Sequence, residues 1–124
     1  MKQLLYIVIG LVVLAGIGWG ISKIPTGPGK YDDFATCVSN SGATFWGAFW
    51  CSHCQDQKKM FGKSAEHLPY KECSTPDNRQ TKECDDAGIV GYPSWDFPGQ
   101  DRVTGVLSFE QLAEKTNCSL PDSK

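Results

Sequence analysis

The hydrophobic pattern at the start of the chain differs from the pattern in the rest of it. Residues 4–21 form an apolar stretch of 18 residues without a charged side chain. A helix of this length covers a hydrocarbon core of about 30 Å. We therefore predict a single transmembrane anchor over residues 1–24, with a cleaved signal peptide as the alternative. A Pro- and Gly-rich linker is expected over residues 25–30.

Beyond the linker, short apolar runs alternate with amphipathic segments. This alternation predicts one α/β domain over residues 31–118 and a tail over residues 119–124. The expected order is helix, strand, helix, strand, helix, strand, strand, helix, over residues 31–42, 43–49, 52–67, 68–73, 80–87, 89–97, 102–107 and 108–116. Such an order predicts a mixed sheet of about four strands with helices on both faces.

The composition of the chain indicates the kind of cellular compartment in which it works and excludes one class of binding partner. The chain has 124 residues, six cysteines and a formal net charge of −2. It contains no run of Lys and Arg, which argues against nucleic-acid binding. Six cysteines in so small a domain indicate an oxidising compartment. We therefore expect a cytoplasmic N-terminus and a domain in the periplasm, a lumen or another extracytoplasmic space.

The candidate chemistry lies in a Cys-X-X-Cys pair, Cys51 and Cys54, which directly follows an aromatic apolar run ending in Trp50. The pair is expected where a buried strand passes into a helix. The free amides and positive dipole end of that helix stabilise a thiolate at Cys51. Cys54 lies one turn further on, as a shielded resolving thiol. This layout is the one that thiol–disulfide exchange needs.

The two residues inside the pair refine this prediction. Ser52 is small and permits the tight turn. An imidazolium at His53 favours the thiolate of Cys51 and makes the disulfide more oxidising. Half of a zinc site is the alternative for such a pair, but a second Cys-X-X-Cys and a His-X3–5-His are both missing from the sequence. We therefore favour redox chemistry and expect no bound metal.

A second informative stretch runs from Ile89 to Phe97. A proline in the middle of a strand-like run argues against a central strand. If the Tyr92–Pro93 bond is cis, Pro93 can begin a strand and present its backbone beside the cysteines. The aromatic side chains of Trp50, Tyr92 and Trp95 then either form an apolar docking surface or belong to the core, and the sequence leaves both open.

The other four cysteines are candidates for structural disulfides. Cys73 is predicted at the end of a strand and Cys84 in the next helix, so we favour a disulfide between them. Cys37 and Cys118 remain, in the first helix and just past the last. They either pair with each other as a structural disulfide, which we favour, or act as a second exchange pair.

Several motifs carry a resemblance to a known family. They are Gly47-Ala48-Phe49-Trp50-Cys51-X-His53-Cys54, Gln57-Lys58-Lys59, Glu72-Cys73-Ser74-Thr75-Pro76 and Gly91-Tyr92-Pro93-X-Trp95. Together they resemble the thioredoxin fold. They are most similar to the thioredoxin-like domain that is fused to, or partnered with, bacterial and plant vitamin K epoxide reductase homologues. The resemblance covers about residues 31–118.

The resemblance implies roles for individual residues. Cys51 would attack and form the mixed disulfide, Cys54 would resolve it, and Pro93 would be the cis-proline that faces them. A quinone-reducing membrane oxidase of the vitamin K epoxide reductase type would reoxidise the pair. One position departs from the thioredoxin pattern: Phe45 stands where many relatives have a buried acid, so the proton acceptor for Cys54 is open among water, Lys58 and Glu72.

These features predict a membrane-tethered thiol–disulfide oxidoreductase that passes disulfides to exported, cysteine-containing proteins. Its redox centre is the Cys51–Cys54 disulfide, with no bound cofactor. Two alternatives stay open. One is a reductase outside the cytoplasm, for example in cytochrome c maturation, and the other is a non-catalytic thioredoxin-like adaptor.

Overall fold

The computed structural model describes the backbone of residues 1–21 and 27–121, and the side chains of residues 1–12 and 27–121. Residues 22–26 and 122–124, which include parts of the predicted anchor, linker and tail, lie outside the described residues. Helix α1 spans Lys2–Ile21, and its described apolar side chains are exposed. Among the residues whose placement is described, no helix is long and apolar enough to cross a membrane.

The domain is built on a mixed sheet of four short strands, which confirms the predicted α/β architecture. Strand β1 is Thr44–Gly47, β2 is Tyr70–Glu72, β3 is Ser94–Asp96 and β4 is Val103–Thr104. Their order in the sheet is β2-β1-β3-β4. Strand β1 pairs in parallel with β2 and antiparallel with β3, and β3 pairs antiparallel with β4. This arrangement fits a thioredoxin-like fold.

Four helices belong to the domain. Helix α2 is Asp32–Asn40, α3 is Ser52–Phe61, α4 is Lys82–Asp86 and α5 is Phe109–Thr116. Ser108 caps α5 in a reciprocal capping box with Gln111.

Two boundaries differ from the prediction for clear reasons. Helix α3 was expected to reach His67, but Gly62 has φ of 57° and ends the α-helical hydrogen bonding. The chain continues to His67 as a 3-10 segment, Gly62–His67. Helix α2, predicted over residues 31–42, spans only Asp32–Asn40; Tyr31 is its N-cap residue, and the Tyr31 side chain makes no capping bond. The Asp32 carboxylate instead accepts a hydrogen bond from the Gly29 amide.

The two faces of the sheet are packed differently. Phe45 on β1 points into the main core, where helices α2, α3 and α5 contribute apolar residues. The next residue, Trp46, points to the opposite face and joins a smaller cluster with Cys73, Cys84 and Ile89. The sheet is therefore covered on both sides, and the edge where β1 ends is left for the site described below.

Candidate active site

Cys51 lies at the junction between the sheet and helix α3. The chain turns directly after β1, where the Cys51 amide donates to the Ala48 carbonyl at 3.0 Å. Cys51 is the N-cap residue of α3, and its Sγ accepts a hydrogen bond from the Cys54 amide at 3.2 Å. A helix N-terminus with free amides stabilises a negatively charged sulfur. The side chain folds over the helix end and is only 7% exposed.

Cys54 lies behind Cys51 and is completely buried. Both residues are free thiols in this structure. Burial raises the pKa of the Cys54 thiol to about 12, the hydrogen bond with Cys51 adds to this rise, and the charge of Lys58 opposes it. The thiol of Cys54 is therefore protonated at neutral pH. The two cysteines differ in the way expected for an attacking and a resolving thiol.

Gly47 allows this close packing, a role that the sequence analysis missed. A Cβ atom at Gly47 would lie 3.1 Å from Cys54 Sγ and 2.7 Å from Cε2 of Tyr70. A side chain there would therefore displace the thiol, the tyrosine ring or both. The available signal was a glycine inside an apolar strand, which often marks a close approach.

The predicted site residues Trp50, Tyr92 and Pro93 come from two segments, the turn before Cys51 and the loop before β3. The Tyr92–Pro93 bond is cis, and Pro93 directly precedes β3, whose first residue pairs with β1 beside Gly47. The rings of Trp50 and Tyr92 pack edge to face with centroids 5.8 Å apart. Trp50 is 52% exposed and donates from Nε1 to Ser74 Oγ at 2.8 Å. The sequence left open whether these aromatic side chains belong to the surface or to the core. In the structure Trp95 is buried in the core and Trp50 lies on the surface.

Ser52 and His53, the two residues between the cysteines, point away from Trp50 and Tyr92. Ser52 is exposed in the first turn of α3. The His53 side chain is 72% exposed, and its Nδ1 lies 3.7 Å from a carboxylate oxygen of Asp56. The partner that the structure gives His53 is therefore a carboxylate one turn along the helix, because the helical geometry brings residues three apart together.

Gln57 anchors the helix that carries both cysteines, and the sequence analysis missed it. Its side chain is fully buried. The amide nitrogen donates to the Leu107 carbonyl at 3.0 Å, and the amide oxygen accepts from the Leu107 amide at 2.8 Å. The signal was positional, since Gln57 shares the buried side of α3 with Cys54 and Phe61.

We expect Gln57→Leu to lower the free energy of unfolding by about 2–4 kcal/mol, because it leaves two buried backbone groups of Leu107 without partners. Urea unfolding of the full chain measures this. Gln55→Leu is the matched control on the same helix, because the Gln55 side chain donates an exposed hydrogen bond to the Phe49 carbonyl, and it is expected to cost under about 0.5 kcal/mol. Equal stabilities of the two variants would contradict the anchoring role.

The remaining four cysteines form two disulfides away from the Cys51–Cys54 pair. Cys73 is bonded to Cys84 and Cys37 to Cys118. The Cys73 amide donates to the Gly47 carbonyl at 2.7 Å, so the first disulfide adjoins the strand that leads to the site. The second disulfide joins the start of the domain to its end. Among the described residues, no group of three His, Cys, Asp or Glu side chains could hold a metal ion.

The four-stranded sheet and the free cysteine pair at the start of α3 define a thioredoxin-like redox domain. The chain is 43% identical over 90 residues to a protein of Arabidopsis thaliana named Thiol-disulfide oxidoreductase LTO1. The similarity covers 67% of this chain and 23% of that relative, so the chain spans about a quarter of the relative's length. No protein-family model matches the chain.

Proposed function

We propose that this chain is a membrane-tethered thiol–disulfide oxidoreductase that donates disulfides to exported proteins. The observation that carries the proposal is the placement of Cys51 as the N-cap of α3 with the free, buried Cys54 behind it. In the reaction, a substrate thiolate attacks Cys51 of the oxidised pair and Cys54 leaves as a thiolate. A second substrate thiolate then attacks the substrate sulfur of the mixed disulfide and Cys51 leaves as a thiolate, so two electrons pass from the substrate to the cysteine pair.

Three observations favour the oxidising direction. Cys51 is the N-cap residue of α3, and helix N-termini in general favour a thiolate, which makes a disulfide at such a position a better oxidant. Phe45 occupies the position of the acid that helps thioredoxins release the proton of the resolving cysteine. Two further disulfides in the same small domain fit an oxidising compartment. The name of the Arabidopsis relative, a thiol-disulfide oxidoreductase, supports the same reaction class.

The membrane tether and the partner form the second part of the proposal. The tether is supported by the uncharged run of residues 4–21 and by the exposed apolar side chains along the described part of α1. In this arrangement the N-terminus is cytoplasmic and the domain lies outside the cytoplasm. A membrane oxidase of the vitamin K epoxide reductase type reoxidises the pair, a partnership supported by the motifs around residues 47–54, 72–76 and 91–95.

A transfer assay tests the proposed reaction. The full, oxidised chain in detergent is mixed with reduced, unfolded ribonuclease as a probe substrate. We expect two ribonuclease thiols to disappear for each chain, as the Cys51–Cys54 disulfide takes up two electrons and two protons. No loss of thiols would favour the non-catalytic adaptor. Faster reduction of insulin disulfides by the reduced chain would favour the reductase.

A further inference from the structure

Phe45, on strand β1, supplies no carboxylate to the Cys54 thiol. Phe45 is buried on that face of the sheet, where its ring stacks on Trp95 with centroids 4.6 Å apart and meets Tyr70 edge to face at 5.1 Å. An aromatic surface of this kind cannot accept a proton or stabilise a thiolate. Any favourable charge for Cys54 must come from another element.

Lys58 supplies a charge at this place. It follows Cys54 by four residues on α3 and therefore lies on the same side of the helix. Its Nζ is 3.4 Å from the centroid of the Tyr70 ring, a close cation–π contact. The edge of the same ring and Cys54 Sγ both lie against Gly47. The ammonium group, the ring and the thiol therefore form one cluster, and the charge of Lys58 lowers the pKa of Cys54 against the effect of burial.

Glu72 holds the ring of Tyr70 in place. The Tyr70 hydroxyl donates to one carboxylate oxygen of Glu72 at 2.8 Å. The other oxygen accepts from the Phe49 amide at 3.1 Å and from the Ser74 amide at 2.9 Å. Three donors thus occupy both carboxylate oxygens, and we assign Glu72 as an anchor for Tyr70 rather than as the base for Cys54.

The titratable groups around Cys54 come from three elements. They are Cys51 and Lys58 on α3, Tyr70 and Glu72 on β2, and Tyr92 in the loop before β3. Burial raises the pKa of both tyrosines, so they stay neutral at physiological pH. Lys58 is thus the cation among these groups.

We propose that Lys58, whose ammonium group lies over the Tyr70 ring, is the positioning residue that stabilises the Cys54 thiolate during exchange. The inference rests on the proposed oxidoreductase function. When substrate attacks Cys51, the Cys51–Cys54 bond breaks, and its electron pair goes to Cys54 Sγ beside the ammonium group. In the reverse step the Cys54 thiolate attacks Cys51, the bond from Cys51 to its partner sulfur breaks, and the departing thiolate takes up a proton from solvent. Solvent receives the proton that Cys54 releases.

The pH dependence of this step tests the proposal. The Cys51–glutathione adduct of the full chain is prepared, and its resolution by Cys54 is followed from pH 6 to 10. Lys58→Met is expected to slow resolution about tenfold at pH 7 and to displace the curve to higher pH by about one unit, since one pKa unit is a tenfold change in thiolate. Lys58→Arg should restore the profile. Lys59→Met is the matched control, because Lys59 is exposed and lies 3.7 Å from Asp56.

Two substitutions of Tyr70 test the contact between its ring and the Lys58 ammonium group. Tyr70→Phe keeps the ring and is expected to keep most of the effect of Lys58, whereas Tyr70→Leu should behave like Lys58→Met. An unchanged pH profile in folded Lys58→Met would overturn the inference about Lys58 but leave the proposed function standing. Equal effects of Lys58→Met and Lys59→Met would have the same consequence. If the unaltered chain never exchanges with glutathione, the proposed function itself fails.

Discussion

Cys51→Ser is expected to remove disulfide transfer completely, to the rate of the uncatalysed reaction. The substitution deletes the sulfur that accepts the Cys54 amide hydrogen bond at the start of α3, which is also the atom that substrate is proposed to attack. The ribonuclease assay described above measures the loss. A serine oxygen at an N-cap still accepts that hydrogen bond, so the fold and its melting temperature should change little.

Cys54→Ser is the informative partner of this variant. It keeps the proposed attacking sulfur of Cys51 but removes the buried thiol of Cys54, which is proposed to resolve the mixed disulfide. Incubated with oxidised glutathione, this variant should accumulate one glutathione per chain on Cys51, seen by intact-mass spectrometry. If Cys51→Ser accumulates the adduct instead, the roles of the two cysteines are reversed. If Cys51→Ser still transfers disulfides, neither role stands.

Removal of the Cys37–Cys118 disulfide is expected to have the largest effect on stability. The bond joins residues 81 apart in the sequence. On the chain-entropy account, a loop of that length corresponds to about 4.5 kcal/mol, against about 2.8 kcal/mol for a loop the size of Cys73–Cys84. Most of the effect arises because the unfolded chain gains freedom. Urea unfolding of the Cys37→Ala/Cys118→Ala variant, compared with the unaltered chain, measures it.

The same variant separates a structural disulfide from a second exchange pair. Cys37 and Cys118 join the start of the domain to its end, and Cys51 and Cys54 lie elsewhere, at the start of α3. Below its melting temperature, the double variant should therefore transfer disulfides to ribonuclease at the unaltered rate. A folded variant that has lost transfer, while Cys51–Cys54 still exchanges with glutathione, would show instead that electrons pass through Cys37 and Cys118.

The parts of this site that the sequence could predict are local ones. Cys51 and Cys54 stand three apart at the boundary between an aromatic run and an amphipathic run, and helical spacing alone places them together. The cap of α5 by Ser108 is local in the same way. The sheet could be predicted from alternating elements, although its strands are shorter than expected because turns, such as the one from Ala48 to Cys51, begin early.

The parts that could not be predicted depend on pairing between distant segments. Lys58 meets Tyr70 only because β2 lies parallel to β1 in a register that places Tyr70 beside Phe45. No local pattern fixes that register. His53 illustrates a different difficulty, since both a cysteine and Asp56 were within its reach, and only the structure shows the contact with Asp56.

A measurement of the reduction potential of Cys51–Cys54 would show whether this chain can donate disulfides. The full chain in detergent is equilibrated in graded glutathione buffers, and alkylation with mass spectrometry reports the redox state of this pair separately from the two disulfides. For a disulfide donor we expect a potential near the oxidising end of the known range, about −120 mV. A value near about −270 mV, typical of thioredoxin, would contradict the donor function, and a pair that never exchanges would contradict catalysis altogether.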